Sequence, residues 1–321
     1  LKQGKGTILS EEKDRLIAEI NGQVVYSNGK LSVEPVFRVV GDVGPKTGNI
    51  MFLGSVQIGG SVLDNYEVKA AGNVEVGGSV QKARIEAEGD IIVKAGILGK
   101  DEAYVESTGG SLLAKFVQSA QVKVAQDVVV QEGILHSRVE AGNIVLCNGR
   151  RAQIVGGSIR ATKEVRARMI GSQAYTPTEI VVGIDPRVLS QAEELQRMLT
   201  ENEDRGRKLQ KEIATLEARY KSDPDGFSEE QKSKLDADRS TQKKVNDKIA
   251  EIKQEVAQLE EYMQTLGAEG KVHAEKELFP GVVVRIRDGT QNISDSYRAV
   301  TLRYDNKYVK IDKLEKAEKR R

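Results

Sequence analysis

Two histidines, a single cysteine and acidic residues set at glycine corners are the side chains that could do chemistry in this 321-residue chain. A histidine on a glycine-cornered coil could serve as the base of a hexapeptide-repeat acyltransferase. That chemistry needs strict six-residue spacing, which is absent here. His136 (in GILHSRV) and His273 (in KVHAEK) have no evident partner along the sequence. Acids and arginines clustered on one face of a β-helix could bind calcium and cleave a polysaccharide. Here the acids fall singly at corners, as at Gly41-Asp42 and Gly89-Asp90, where Asp and Asn bonding their own backbone explain them. Cys147 is the only cysteine, so no disulfide forms within the chain and a reducing compartment fits. No Walker loop, dinucleotide fingerprint, CxxC, HExxH or GxSxG occurs. The expectation is a protein that is not an enzyme, with no catalytic, cofactor-binding or metal-binding residues.

Charge excludes other classes. Lys and Arg number 49 against 48 Asp and Glu, so electrostatics offers no reason to expect a nucleic-acid partner. The one basic run, KAEKRR at 316–321, reads as a solvated terminus. No segment approaches the ~18–20 apolar residues of a membrane span, so no membrane insertion is expected, and no signal peptide is visible. The opening at Leu1 falls in mid-pattern and reads as a piece of a longer protein.

The elements that must position any site come from a repeat. GNIMFLGSVQIGG (48–60), AGNVEVGGSV (71–80), EGDIIVKAGI (88–97), AQDVVVQEGI (125–134) and AGNIVLCNGR (141–150) each place Asn or Asp before alternating β-branched residues. A period of roughly 16–21 residues indicates stacked coils of a parallel solenoid. Alternation turns one face of each short strand inward, and glycine corners are expected to supply φ > 0. Aromatics at 4%, with no Trp, suit such a narrow core.

At Asp185-Pro186 the period changes to that of a helix, with an N-cap and then proline at the first helical position. Val188, Ala192, Leu195, Leu199, Asn202, Gly206, Leu209, Ile213, Leu216 and Tyr220 keep a 4-3 spacing, the seam of a coiled coil with two soft positions. SDPDGF (222–227) makes a turn, and Ser228 with Gln231 a capping box. The second seam runs through Leu235, Asp238, Gln242, Val245, Ile249, Ile252, Val256, Leu259, Met263 and Leu266 to stop signals at Gly267 and Gly270. Equal seams joined by a short turn lie antiparallel, placing Asn202 and Gly206 near Ile249 and Ile252, a thinly packed place able to bend. Phe227 reads either as an exposed anchor for a partner or as a helix-start staple on its own hairpin.

Strand patterns then return in KVHAEK, GVVVRIRD, RAVTLRYDN and KYVKI, with Asp305-Asn306 as a hairpin turn. The predicted organisation is a lead-in over 1–40, a parallel β-helix over 41–184, the coiled-coil hairpin over 185–270, return strands over 271–312 and a basic tail over 313–321. The fold class is mainly β, a solenoid with an inserted antiparallel helical hairpin.

VEPVFRVVGDVGPKTGNIMFLGSVQIGGSV (33–62) resembles the opening of the β-helix in the bacterial flagellar assembly protein A family. The likeness continues in LLAKFVQSAQVKV, GILHSRVEAGNI, IVGGSIRATKEVRARMIGS and FPGVVVRI. Departures are minor: Asp64-Asn65 stands where a glycine turn is usual, and Ala125-Gln126-Asp127 replaces a Gly-Asp corner. The resemblance implies a right-handed β-helix and a cytoplasmic protein tied to flagellar assembly and, in some bacteria, to the cell pole. It also implies partners among flagellar and polar-localisation factors and the glucose-specific IIA protein of the phosphotransferase system, with no catalytic residues to carry over. The leading expectation is a scaffold acting through protein–protein contacts. The alternative is a self-assembling cytoskeletal element resembling bactofilins or the β-helical domain of the septum-site protein MinC, and a homo-oligomer stays open.

Overall fold

The computed structural model describes residues 2–224, 226–265 and 269–315. The chain divides into two compact units, one of Leu1–Pro186 with Ala268–Arg321 and one of Arg187–Gly267.

The first unit is mainly β, a parallel β-solenoid of about 8 turns. Each coil contributes a short stretch to each of three faces. In one coil these are Val74–Val76, Ser79–Val80 and Arg84–Ala87; in the next, Ile91–Val93 is followed by Gly96–Ser107, which spans two faces. Three inward ladders fill the interior in parallel register. Val56, Val74, Ile91, Leu112, Val128, Val145 and Val165 line the first face. Val62, Val80, Ile97, Val117, Ile134, Ile154 and Ile170 line the second. Val68, Ile85, Val105, Val122, Val139, Ile159 and Ile180 line the third. Each of these side chains is at most 1% exposed. β-Branched residues stack on a pleated surface with little rotamer entropy to lose, and the narrow core has no width for rings. Aromatic rings instead meet near the first coil, where Phe37 and Phe52 lie 5.6 Å apart.

Two sequence expectations about the corners are corrected. The Gly-Gly pairs at 59–60, 77–78 and 109–110 do not adopt positive φ, whereas Gly156 and Gly157 do, at 73° and 85°. The first three pairs are glycine because the neighbouring coil is too close: a Cβ on Gly77 would lie 2.5 Å from the Gly59 carbonyl oxygen. Nor do most corner acids bond their own backbone. Asp42, Asn73 and Asp90 accept the backbone N–H of Ser61, Asp90 and Ser111 on the following coil, at 2.7, 2.8 and 2.8 Å. Chain offsets of 16 to 21 residues separate such partners, matching the repeat. Asn65 at φ 67° takes the left-handed conformation a glycine turn would otherwise supply.

Before the solenoid, Lys2–Gln3, Lys30–Glu34 and Gln23–Ser27 form a three-stranded sheet, and Thr7–Leu9 pairs antiparallel with Leu16–Ala18. The strand Val36–Val39 already pairs with Ser55–Ile58 of the solenoid.

The stacking resumes beyond the helices as though uninterrupted: Val165 pairs with Val272, Ile170 with Leu278 and Ile180 with Val284. Antiparallel strands then close this end. Val300–Asp305 covers the first face, Leu278 bridges to Tyr297 on the second, and Gly289–Asn292 covers the third. The turn into the last strand is at Asn306 and Lys307, with φ 51° and 70°, one residue later than expected.

The second unit is a helical hairpin of α1 (Pro186–Ser222) and α2 (Glu229–Thr265), each 37 residues and so about 55 Å long. Pro186 occupies the first helical position. The capping box forms reciprocally: Gln231 N–H donates to Ser228 Oγ at 3.3 Å, and Ser228 N–H donates to Gln231 Oε1 at 3.1 Å. The expected seam residue Leu266, the stop signal Gly267 and the basic run at 316–321 lie outside the described residues.

Candidate interaction surfaces

The hairpin is built on the predicted seam. Leu195, Leu199 and Ile252 form a buried cluster, with Met198, Ile249, Val256 and Leu259 packed against it. Val245 is 5% exposed and faces Gly206 across the seam, while Leu209, Ile213 and Leu216 are half-buried. Gly206 lies against Ile249, as the antiparallel pairing predicts, and also against Gln242 and Val245. Cross-helix ion pairs join Glu203 to Lys253 at 2.9 Å and Glu217 to Arg239 at 2.7 Å. The outer flanks are charged and exposed, so α1 and α2 offer long polar surfaces.

Phe227 is the one residue singled out as a contact for a partner. It is 5% exposed, and its ring lies edge-on to Tyr220 with centroids 5.1 Å apart. The exposed-anchor reading is therefore corrected: Phe227 is the staple that seats the start of α2 on the end of α1.

A second surface is the outward side of the third solenoid face. There the register stacks Glu67 on Arg84 and Tyr104, and Lys69 on Glu86 and Glu106. Opposite charges meet: Lys69 lies 3.0 Å from Glu67 and 3.4 Å from Glu86, and Arg84 contacts Glu86. The Arg84 guanidinium also sits 4.4 Å above the Tyr104 ring, whose hydroxyl donates to Glu106 at 2.9 Å. Burial, with Glu106 beside it, pushes the Tyr104 pKa up to about 12. The hydrogen bonds to Glu67 and Glu86 raise that of Lys69.

The histidines part company. His136 is exposed at φ 46° beside Gly156. His273 is 2% exposed, and the structure supplies the partner its sequence neighbourhood lacks. Its Nδ1 lies 2.8 Å from Thr301 Oγ1, and its Nε2 lies 3.7 Å from Glu164, which also accepts from Arg166 Nε at 2.6 Å. The Thr301 hydroxyl in turn accepts the Glu315 N–H at 2.9 Å, and Lys271 pairs with Glu315 at 2.8 Å. Burial, reinforced by Arg166, pushes the His273 pKa down to about 4, so the ring is neutral near pH 7. A neutral, enclosed ring bonded to a hydroxyl ties the closing strands to the stack. Sequence inspection missed this cluster because Glu164 meets His273 only after the hairpin is looped out, and Thr301 only when the closing strands fold back on the stack.

Cys147 is buried, and burial pushes its thiol up to about 12. Among the described residues no group of three or more His, Cys, Asp or Glu side chains is gathered as for a metal ion. No described helix is long and apolar enough to cross a membrane.

A family model described as the Flagellar Assembly Protein A beta solenoid domain matches residues 35–309. No curated protein and no solved structure matches the chain.

Proposed function

The chain belongs to the Flagellar Assembly Protein A family by its β-solenoid domain, and from that premise we propose that it acts in flagellar assembly as a non-enzymatic scaffold. The observation that carries the reading is the combination of a regular β-body with a long helical hairpin in one chain. Stacked coils hold outward side chains at fixed spacing over many turns, a surface suited to extended protein contacts. The paired helices add charged flanks about 55 Å long. In this reading the partners are flagellar or polar-localisation proteins, with the glucose-specific IIA protein of the phosphotransferase system as a further candidate. The place of action is the cytoplasm, at the cell pole in some bacteria. An end-to-end filament needs two joinable ends, and the antiparallel strands that follow Lys271 occupy one of them. The scaffold is therefore the reading we carry forward.

The test is proximity labelling in flagellated cells with the wild-type chain and with a variant whose Arg187–Thr265 segment is replaced by a short Gly/Ser linker. Enrichment of flagellar or phosphotransferase proteins by the wild type alone assigns binding to the hairpin, and equal enrichment by both assigns it to the solenoid. Labelling no greater than that of an unfused control defeats the proposal.

A further inference from the structure

Between its two well-packed ends the helical hairpin has a stretch where polar side chains and a glycine interrupt the apolar seam. At one end Leu195, Leu199 and Ile252 are buried together under Met198, Val256 and Leu259. Near the turn, Leu235 is 6% exposed, Tyr220 meets Phe227, and Arg239 bonds Glu217. Between them Asn202 and Gly206 on α1 and Asp238 and Gln242 on α2 break up a seam otherwise held by half-buried Leu209 and Ile213 and buried Val245.

The hydrogen bonds these polar seam residues make stay within their own helices. The Asn202 amide donates back to the Met198 carbonyl at 2.8 Å, and the Gln242 amide donates along its own helix to Asn246 at 3.1 Å. Two enclosed oxygens, Asp238 Oδ2 and Gln242 Oε1, have no partner among the described residues. Such atoms gain by any motion that brings them to water. Gly206 leaves a notch of about 280 Å³, bordered by Glu203, Arg207, Gln242, Asn246 and Lys253. A Cβ there would find its nearest atom, Val245 Cγ1, at 3.5 Å, so the residue could be larger without clash. Glycine is not demanded by packing. Its backbone freedom and missing side chain are what it contributes.

We propose that this stretch is an elbow: the hairpin bends about Gly206 as two stiff segments, one anchored by the Leu199–Ile252 cluster and the other by the Phe227 staple. The elbow would let the arm change its reach without unfolding. It does not depend on what the arm binds and stands apart from the scaffold reading.

The test uses the whole chain. Spin labels at Gln191→Cys and Lys221→Cys, both exposed on α1, report the end-to-end distance, and the native Cys147 is only 1% exposed, out of a label's reach. The expected result is a broad distance distribution that narrows at least twofold when Gln242→Leu and Gly206→Leu fill the notch and Asp238→Leu removes the other unpaired seam oxygen. A distribution already narrow, or unchanged by filling, overturns the proposal. Amide hydrogen exchange on the unmodified chain gives a second reading that needs no variant to fold. Amides of 203–210 and 239–246 should exchange at least tenfold faster than those of 195–199, 216–220 and 249–256. Uniform protection, or protection falling steadily toward the turn, overturns it equally.

Discussion

At the scale of residues, two glycines that look alike in the sequence should respond oppositely to a methyl group. Gly77 faces the Gly59 carbonyl oxygen of the neighbouring coil, so Gly77→Ala must push two coils apart. It should cost about 1–3 kcal/mol, the usual range for overpacking, seen as a lower urea midpoint. Gly206 lies within a helix with space beside it, so Gly206→Ala should stabilise the hairpin by up to about 1 kcal/mol, checked by thermal melting of the helical signal. His273 makes the third residue-scale prediction. Its folded pKa of about 4 lies below the ordinary 6.5. Between those values the unfolded chain takes up a proton that the fold refuses, so stability falls as pH drops from 6.5 toward 4. The loss should reach roughly 2–3 kcal/mol at the acid end. Arg166 and Lys271 face the ring and disfavour its charge, while Glu164 and Glu315 favour it. The wild-type stability should therefore vary more steeply with pH over that window than that of His273→Asn; identical slopes would remove the buried ring as the cause.

At the scale of elements, the hairpin shows most directly how local sequence becomes structure. The Ser228–Gln231 box satisfies backbone donors that the start of α2 would otherwise leave unpaired. Ser228→Ala should cost about 1 kcal/mol, and exchange of the first-turn amides of α2 should quicken while the Leu199–Ile252 end is unaffected. Within the solenoid the equivalent device runs between coils. Asn73 both accepts the Asp90 N–H and receives, at its own N–H, the Ser55 hydroxyl oxygen as acceptor at 3.0 Å. Side chains that cap the next coil link neighbours in a chain of small contributions, consistent with stability arising from stacking rather than from any one turn.

At the scale of the molecule, the hairpin is an insertion that the β-body does not need for its pairing. Val165–Val272 and Ile180–Val284 are formed by strands outside it. The two ends of the insertion lie together, since a Cβ on Gly270 would sit 2.6 Å from the Gly183 nitrogen. Replacing Arg187–Thr265 with a short Gly/Ser linker should leave a folded solenoid. Circular dichroism should lose its helical component, keep its strand component and still show one cooperative melt. A broad or absent melt would show that the hairpin is required for the closing strands to dock.

Much of this protein is determined locally, and that part was legible. Alternating β-branched residues between glycine corners impose strands with one buried face, and their regular recurrence leaves stacking as the only way to cover those faces. The 4-3 spacing from Val188 to Met263, with Pro186 before it and the Ser228 box at its centre, determines two helices and their turn. What only tertiary structure decided depends on atoms brought together from far apart. The glycine pairs at 59–60, 77–78 and 109–110 owe their identity to the neighbouring coil rather than to their own dihedral angles. Asp42, Asn73 and Asp90 reach the next coil because the stack puts its N–H groups nearer than alternatives on their own turn. Phe227 is hidden because α1 ends with Tyr220 beside it. His273 finds Thr301 across the closing strands and Glu164 across the excursion of Arg187–Gly267. Periodicity records which face a side chain takes, and only the folded stack determines what stands opposite it.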